Sequence, residues 1–181
     1  MQWNGGRYAS DGIRMVPDRE YLCYVKEKSM IKGICIGIIA AVFSGDLRIK
    51  NYIEKTGTEG VTKSACKGKV LIRRHHNRGL ALNVGQSRQM LVAALSVVMT
   101  LAAFVCFVIS LGQKGNNILR IGLSMLLGGA FSNTYDRLKR KYVVDYFSFG
   151  VKWKKLRSIV FNLSDFFIII GAVISAIGVG K

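Results

Sequence analysis

Acidic residues are scarce in this chain: 10 Asp and Glu stand against 27 Lys and Arg in 181 residues, a formal net charge of +17. There are two histidines, four cysteines and one proline, Pro17. Each shortage closes a class of function. The histidines are the neighbours His75 and His76, whose side chains point in different directions on a helix or a strand. A metal site would need further ligands, and the sequence supplies no matching set. No serine has a convincing histidine partner, and Cys66, in the same loop as the histidines, has no third group to orient it, so a nucleophilic triad is not expected. No glycine loop leads into a helix at the spacing that cradles phosphate. Cys35 and Cys106 fall within apolar runs as small hydrophobes, and Cys23 and Cys66 flank the first run on opposite sides, so no disulfide is expected.

What is present is apolar and basic at once: half the residues are hydrophobic, with mean hydropathy +0.28. Such a pI, about 10.1, would ordinarily raise nucleic acid as a partner. Here the apolar residues are gathered into blocks and the basic ones into the connections between them, as in a multi-pass membrane protein beside anionic phospholipid headgroups, and no nucleic acid is expected. The blocks are residues 30–45, 90–111, 118–135 and 159–179. The first is short and holds Lys32, whose stem can reach the interface. The second is about 22 residues without a charge, enough to span a bilayer core. The third has Arg120 near its start and Gly128-Gly129 inside it, small residues that let helices approach closely. The predicted fold is an all-α integral membrane protein, a four-transmembrane-helix bundle. Its long basic connection, residues 51–87, forms a small extramembranous strand and loop platform between helices 1 and 2, with strands near 69–72 and 79–84. Residues 1–29 read as a polar N-terminal tail and 30–181 as the membrane domain, with Met30 a second candidate start. The first block also resembles a cleaved leader; against that, Asp46 and Lys50 lie at i and i+4, an opposite-charge pair suited to a retained helix.

The fourth block contains a carboxylate, Asp165, six residues in and so roughly 9 Å deep if the whole run is helical. An acidic residue within a span is unfavourable by about 3 kcal/mol, which points to a use. Asn162, three residues earlier, shares its face. With four alternating spans, the remaining polar clusters fall on the same side of the membrane: Asp46 and Lys50, Asn77, the group Asn133, Asp136 and Arg137, and Asp145. Two aspartates sharing a proton can activate a water and protonate a leaving group. The residues alone leave Asp136 and Asp145 as rival partners for Asp165. A transporter or channel subunit using Asp165 in an ion or proton path is the alternative, but it would be expected to carry polar groups along the whole crossing.

These residues resemble lipoprotein signal peptidase, or signal peptidase II. The family's Asp-x-x-x-Lys is matched by Asp46 and Lys50. Its Asn-x-Gly-x-Ala turn is matched by Asn77, Gly79 and Ala81, with Leu82 where the family has an aromatic. Its Gly-Gly-Ala-x-Gly-Asn-x-x-Asp-Arg helix end is matched by Gly128, Gly129, Ala130, Asn133, Asp136 and Arg137, with Ser132 in place of a glycine. Val143-Val144-Asp145 matches Val-Val-Asp, and Phe161-Asn162-x-x-Asp165 matches Phe-Asn-x-Ala-Asp. The resemblance covers roughly the last 150 residues, and departures such as Lys141-Tyr142 before Val143 mark a divergent member.

The resemblance implies a membrane-embedded aspartic endopeptidase. It would remove signal peptides from prolipoproteins on the N-terminal side of a diacylglyceryl-modified cysteine. Asp145 and Asp165 would be the catalytic pair. Asp46, Lys50, Asn77, Gly79, Asn133, Asp136, Arg137 and Asn162 would bind or orient, with Asp136 pairing with neighbours such as Arg137. No metal or organic cofactor is implied. The expected setting is the bacterial inner or plasma membrane, as a multi-pass monomer whose active site faces outward. The positive-inside rule disagrees, since most Lys and Arg lie in the site-bearing loops; the family's orientation is preferred because its motifs are the more specific signal.

Overall fold

A computed structural model of the chain describes residues 19–58, 61–79, 85–113 and 115–180. In order the elements are helix α1 (Arg19–Thr56), strands β1 (Lys63–Ala65) and β2 (Val70–Asn77), and helices α2 (Gln89–Gly112) and α3 (Asn117–Lys139). Strand β3 (Val143–Phe149), a short helix α4 (Lys154–Ser158) and helix α5 (Leu163–Val179) follow. The chain divides into two compact units, Met1–Ile34 and Cys35–Lys181. The described part of the first is the leading portion of α1. The fold is mostly helical with a small antiparallel sheet.

Two described helices are long and apolar enough to cross a membrane, Tyr21–Thr56 and Gln89–Gly112; Leu163–Val179 is apolar but shorter. Most of the large apolar side chains of α2 are exposed, among them Leu91, Val98, Met99, Leu101, Val105 and Ile109. A face that apolar suits hydrocarbon. The charge at the start of α3 has a local purpose. Arg120 is buried, donating from Nε to the Ser110 carbonyl (3.1 Å) and from Nη1 to Asn117 Oδ1 (2.7 Å), while Nη2 reaches the Gln113 carbonyl. It thereby ties down carbonyls at the end of α2, where Ser110 also accepts from the Gln113 N–H at 3.3 Å.

Helices α3 and α5 meet along small residues. A Cβ built on Gly171 would lie 2.5 Å from the Leu126 nitrogen, on Gly122 2.6 Å from the Ser175 nitrogen, and on Gly129 2.6 Å from the Ser164 carbonyl oxygen. Backbone therefore packs on backbone, and no larger side chain fits without parting the helices. This contact places the start of α5 beside the end of α3, where the polar residues are.

Three sequence expectations need correction. First, Asp46 and Lys50 are helical as expected but do not end their helix, for α1 continues past them to Thr56. Second, the platform is not confined to the connection between the first two long helices. Its sheet has the order β1-β2-β3, and β3 comes from the connection before α5; Asn77 pairs with Val143 and His76 with Val144. The strand expected at 69–72 belongs to the longer β2, and the one expected at 79–84 falls largely outside the described residues. Third, the apolar run 159–179 is not one helix. Phe161 forms an antiparallel bridge with Phe147, and the helix starts at Leu163. Asp165 therefore sits in the first turn of α5 and is not 9 Å down a span.

Candidate active site

The start of α5 is fixed by its own polar residues. Asn162 is the N-cap, accepting from the Asp165 backbone N–H through Oδ1, while Asp165 Oδ2 accepts from the Asn162 N–H; both distances are 3.0 Å. This reciprocal capping box satisfies two of the donors that a helix start leaves open. It also aims the Asp165 carboxylate back toward β3, where Asp145 waits: Asn162 Nδ2 donates to Asp145 Oδ1 at 2.7 Å. One asparagine thus touches both aspartates, by its backbone on one side and its side chain on the other.

Two further amides complete the frame. Asn77, at the end of β2, donates from Nδ2 to Asp145 Oδ2 (3.0 Å) while its Oδ1 accepts from the Gly79 N–H (3.0 Å). Asn133, on α3, donates from Nδ2 to Asp165 Oδ1 (3.0 Å) while its Oδ1 accepts from Lys50 Nζ (2.8 Å). In all three asparagines the oxygen is held by another donor, so the NH2 can only face a carboxylate. Arg137 donates to the Gly79 carbonyl (2.7 Å), and its Nε is buried without a hydrogen-bond partner among the described residues. Asn77, Asn133, Arg137, Asp145 and Asp165 line one cavity of about 330 Å³, whose other wall is apolar: Ile159, Val160, Phe161, Ile168 and Ile169. That volume lies within the range of small ligand sites.

Asp145 is 2% exposed. Burial, reinforced by the nearby Asp165 charge, pushes its carboxyl up from 3.8 to about 7, against the pull of the Asn162 and Asn77 donors. A buried acid that keeps its proton near neutrality beside a second carboxylate is suited to general acid–base chemistry.

Behind the cavity lies a second polar cluster, in which Asp46, Lys50 and Asp136 are fully buried. Lys50 Nζ is 2.7 Å from Asp46 Oδ2 and 3.1 Å from Asp136 Oδ2. Asp46 also accepts from Ser132 and Ser164 (2.6 Å each) and from the Tyr146 hydroxyl (3.1 Å). Ser132, where the family motif has a glycine, is thus absorbed by this cluster: it accepts from Lys50 Nζ at 3.1 Å as well. Asp136 corrects another expectation, for its partners are Lys50 and Arg140, at 3.2 Å, and not Arg137. Adjacent helical residues face different ways, whereas Arg140 is four residues on and shares Asp136's face. Asp136 also accepts from the Val144 N–H at 3.2 Å, so it braces β3. The structure therefore brings Asn77, Gly79, Asn133, Arg137, Asp145, Asn162 and Asp165 together around the cavity and puts Asp46, Lys50 and Asp136 one layer behind.

Sequence reasoning missed Tyr146. Its hydroxyl donates to Asp46 and accepts from the Leu163 N–H (2.8 Å), and its backbone N–H donates to the Phe161 carbonyl (2.9 Å). It ties the strand carrying Asp145 to the helix start carrying Asp165. Only its position next to Asp145, on the opposite face of a strand, could have drawn attention to it.

Residues 38–179 match the family model described as Signal peptidase (SPase) II. The chain is similar to lipoprotein signal peptidases of Clostridium tetani (30% identity over 105 residues, 58% of this chain and 65% of that protein) and Mesorhizobium japonicum (30% over 142 residues, 76% and 79%). The corresponding enzyme of Streptococcus pneumoniae is 25% identical over 153 residues, covering 84% of this chain and 96% of that one. Against the clostridial proteins the match spans slightly under two thirds of their length. In fold, the chain is similar to a bacterial membrane enzyme solved in meso at 1.9 Å resolution: TM-score 0.69, 22% identity, 82% of this chain and 94% of that one.

Proposed function

Because the chain belongs to the signal peptidase II family, we propose that this membrane protein is an aspartic endopeptidase that removes signal peptides from diacylglyceryl-modified prolipoproteins. The observation that carries the aspartic assignment is Asn162, which holds Asp145 by its side chain and Asp165 by its backbone at the mouth of one cavity. Nothing in the fold favours the transporter reading. Below the cavity, the seam between α3 and α5 is filled by backbone contacts at Gly122, Gly171 and Gly178, which leave no room for a polar path along it.

In the proposed reaction the pair holds one proton. Asp165 stands in the first turn of α5, where the helix dipole favours negative charge, and it is the ionised base. Asp145 is the acid. Asp165 takes a proton from water as the water oxygen attacks the scissile carbonyl carbon, and Asp145 gives its proton to the carbonyl oxygen. The tetrahedral diol then collapses: the C–N bond breaks, the amine leaves with the proton held by Asp165, and Asp145 recovers its own from a hydroxyl. Asn77, Asn133 and Asn162 hold the carboxylates in register, and Arg137 offers its guanidinium to the substrate backbone.

The apolar wall, with Ile169 56% exposed, lets a lipid-modified residue keep its acyl chains in the membrane while the peptide bond reaches the acids. The domain from residue 30 onward, crossing the bilayer four times with the site on the outer face, is part of this proposal. Purified protein should cleave a diacylglyceryl-cysteine signal peptide. Asp145→Asn and Asp165→Asn should each lower turnover by at least about 10³-fold, and the double variant should be little worse. Full turnover in Asp165→Asn would end the aspartic reading.

A further inference from the structure

The stretch preceding α5 is extended and half-covered. Phe161 donates its N–H to the Phe147 carbonyl (2.7 Å), and its own carbonyl accepts from the N–H groups of Phe147 (3.0 Å) and Tyr146 (2.9 Å). Both backbone groups of Phe161 therefore point at β3. In extended chain these groups alternate in direction from one residue to the next. The N–H and C=O of Val160 consequently point the other way, and Val160 lines the cavity that Asp145 and Asp165 share. Among the described residues no backbone group bonds to either. A half-buried peptide unit facing a cavity and lacking a partner is unfavourable unless something pairs with it.

We propose that Val160 is the docking edge for the substrate's main chain: an extended stretch of the signal peptide pairs with the Val160 N–H and C=O as an added strand. The inference rests on the peptidase reading and adds to it how the peptide is held. An added strand is recognised through its backbone, with side-chain pockets alternating along it, so the mode accepts the varied sequences of signal peptides. Asn77, Arg137 and both acids line the same cavity as Val160, so a strand paired with Val160 would lie in the space the acids share.

The test uses full-length protein and lipid-modified peptides in which single backbone amides are replaced by esters, each removing one N–H. Val160→Pro removes the enzyme's N–H and breaks no described hydrogen bond, while the residue before it, Ile159 (φ −74°, ψ 127°), already has the conformation that precedes proline comfortably. Val160→Ala keeps the N–H and serves as control. Val160→Pro should raise KM about five- to tenfold over Val160→Ala, with kcat little changed between the two variants. On unmodified enzyme, one ester position near the cleavage site should raise KM by a similar factor, through the N–H that would meet the Val160 carbonyl. Equal KM for the proline and alanine variants, or esters that have no effect at every position, overturns the proposal. Should Val160→Pro fail to fold, the ester series on unmodified enzyme decides. The two readings fail separately: turnover surviving in Asp165→Asn removes the aspartic mechanism, whereas a dead Asp165→Asn with an unaffected Val160→Pro removes only the docking edge.

Discussion

At the scale of single residues, Asp145 links activity to stability. Its carboxyl titrates near 7 in the folded protein against 3.8 ordinarily, so the folded state binds more protons between those values. Stability therefore falls as pH rises from about 4 to about 7 and stays low above that. Asp145→Asn removes the dependence. It should unfold at least about 5 °C above the parent at pH 8 and lose that advantage at pH 4, which calorimetry in detergent would show. Turnover that needs the Asp145 proton should decline above about pH 7. Tyr146→Phe strips a donor from buried Asp46 and an acceptor from the Leu163 N–H. It should lose about 2 kcal/mol of stability and about tenfold in kcat, with KM little changed, because the acids lose register and not the peptide its cavity. Equal kcat in the two proteins would mean that the backbone bonds to Phe161 suffice.

At the scale of elements, the contact between α3 and α5 makes a sharp contrast among glycines. Gly171→Leu forces a side chain into the Leu126 backbone and should destabilise by about 3 kcal/mol or more, dragging Asn133 away from Asp165; Gly37, with open space around its Cβ position, should accept alanine with a gain of about 0.5 kcal/mol. Thermal unfolding of both variants would check the pair. The elements were unevenly legible in the sequence. Helix α2 was plain because its charge-free length and period have no competing reading. Strand β3 was hidden because it is covered on both faces, so Val143 to Tyr146 show no polar alternation. The start of α5 was hidden by Ile159, Val160 and Phe161, which continue the apolar run although they lie in extended chain. Asn162-x-x-Asp165 carried the missing signal, a capping box with aspartate in place of the usual glutamate. The site residues were legible as short motifs. Their division into a cavity wall and a buried cluster depends on which helix faces meet, which spacing within one segment does not encode.

At the scale of the whole molecule, the proposed outward orientation has a direct probe. Cys66 is exposed in the turn between β1 and β2. With Cys23 replaced by serine, a membrane-impermeant maleimide should label Cys66 in intact cells, and labelling only after lysis would reverse the orientation. The late start of α5 bears on the lipid as well as the protein. Seventeen helical residues extend about 26 Å, against a hydrocarbon thickness of about 30 Å. In the proposed topology, a span this short is matched when the bilayer thins beside it, and thinning at its N-terminal end would fall where Asp165 stands. Such thinning would bring headgroups and water toward the acids, so a diacylated peptide would not need to be lifted out of the membrane to be cut. Turnover in liposomes should then rise as the host acyl chains are shortened toward the length of α5 and fall in thicker bilayers, making membrane thickness itself a regulator of this enzyme.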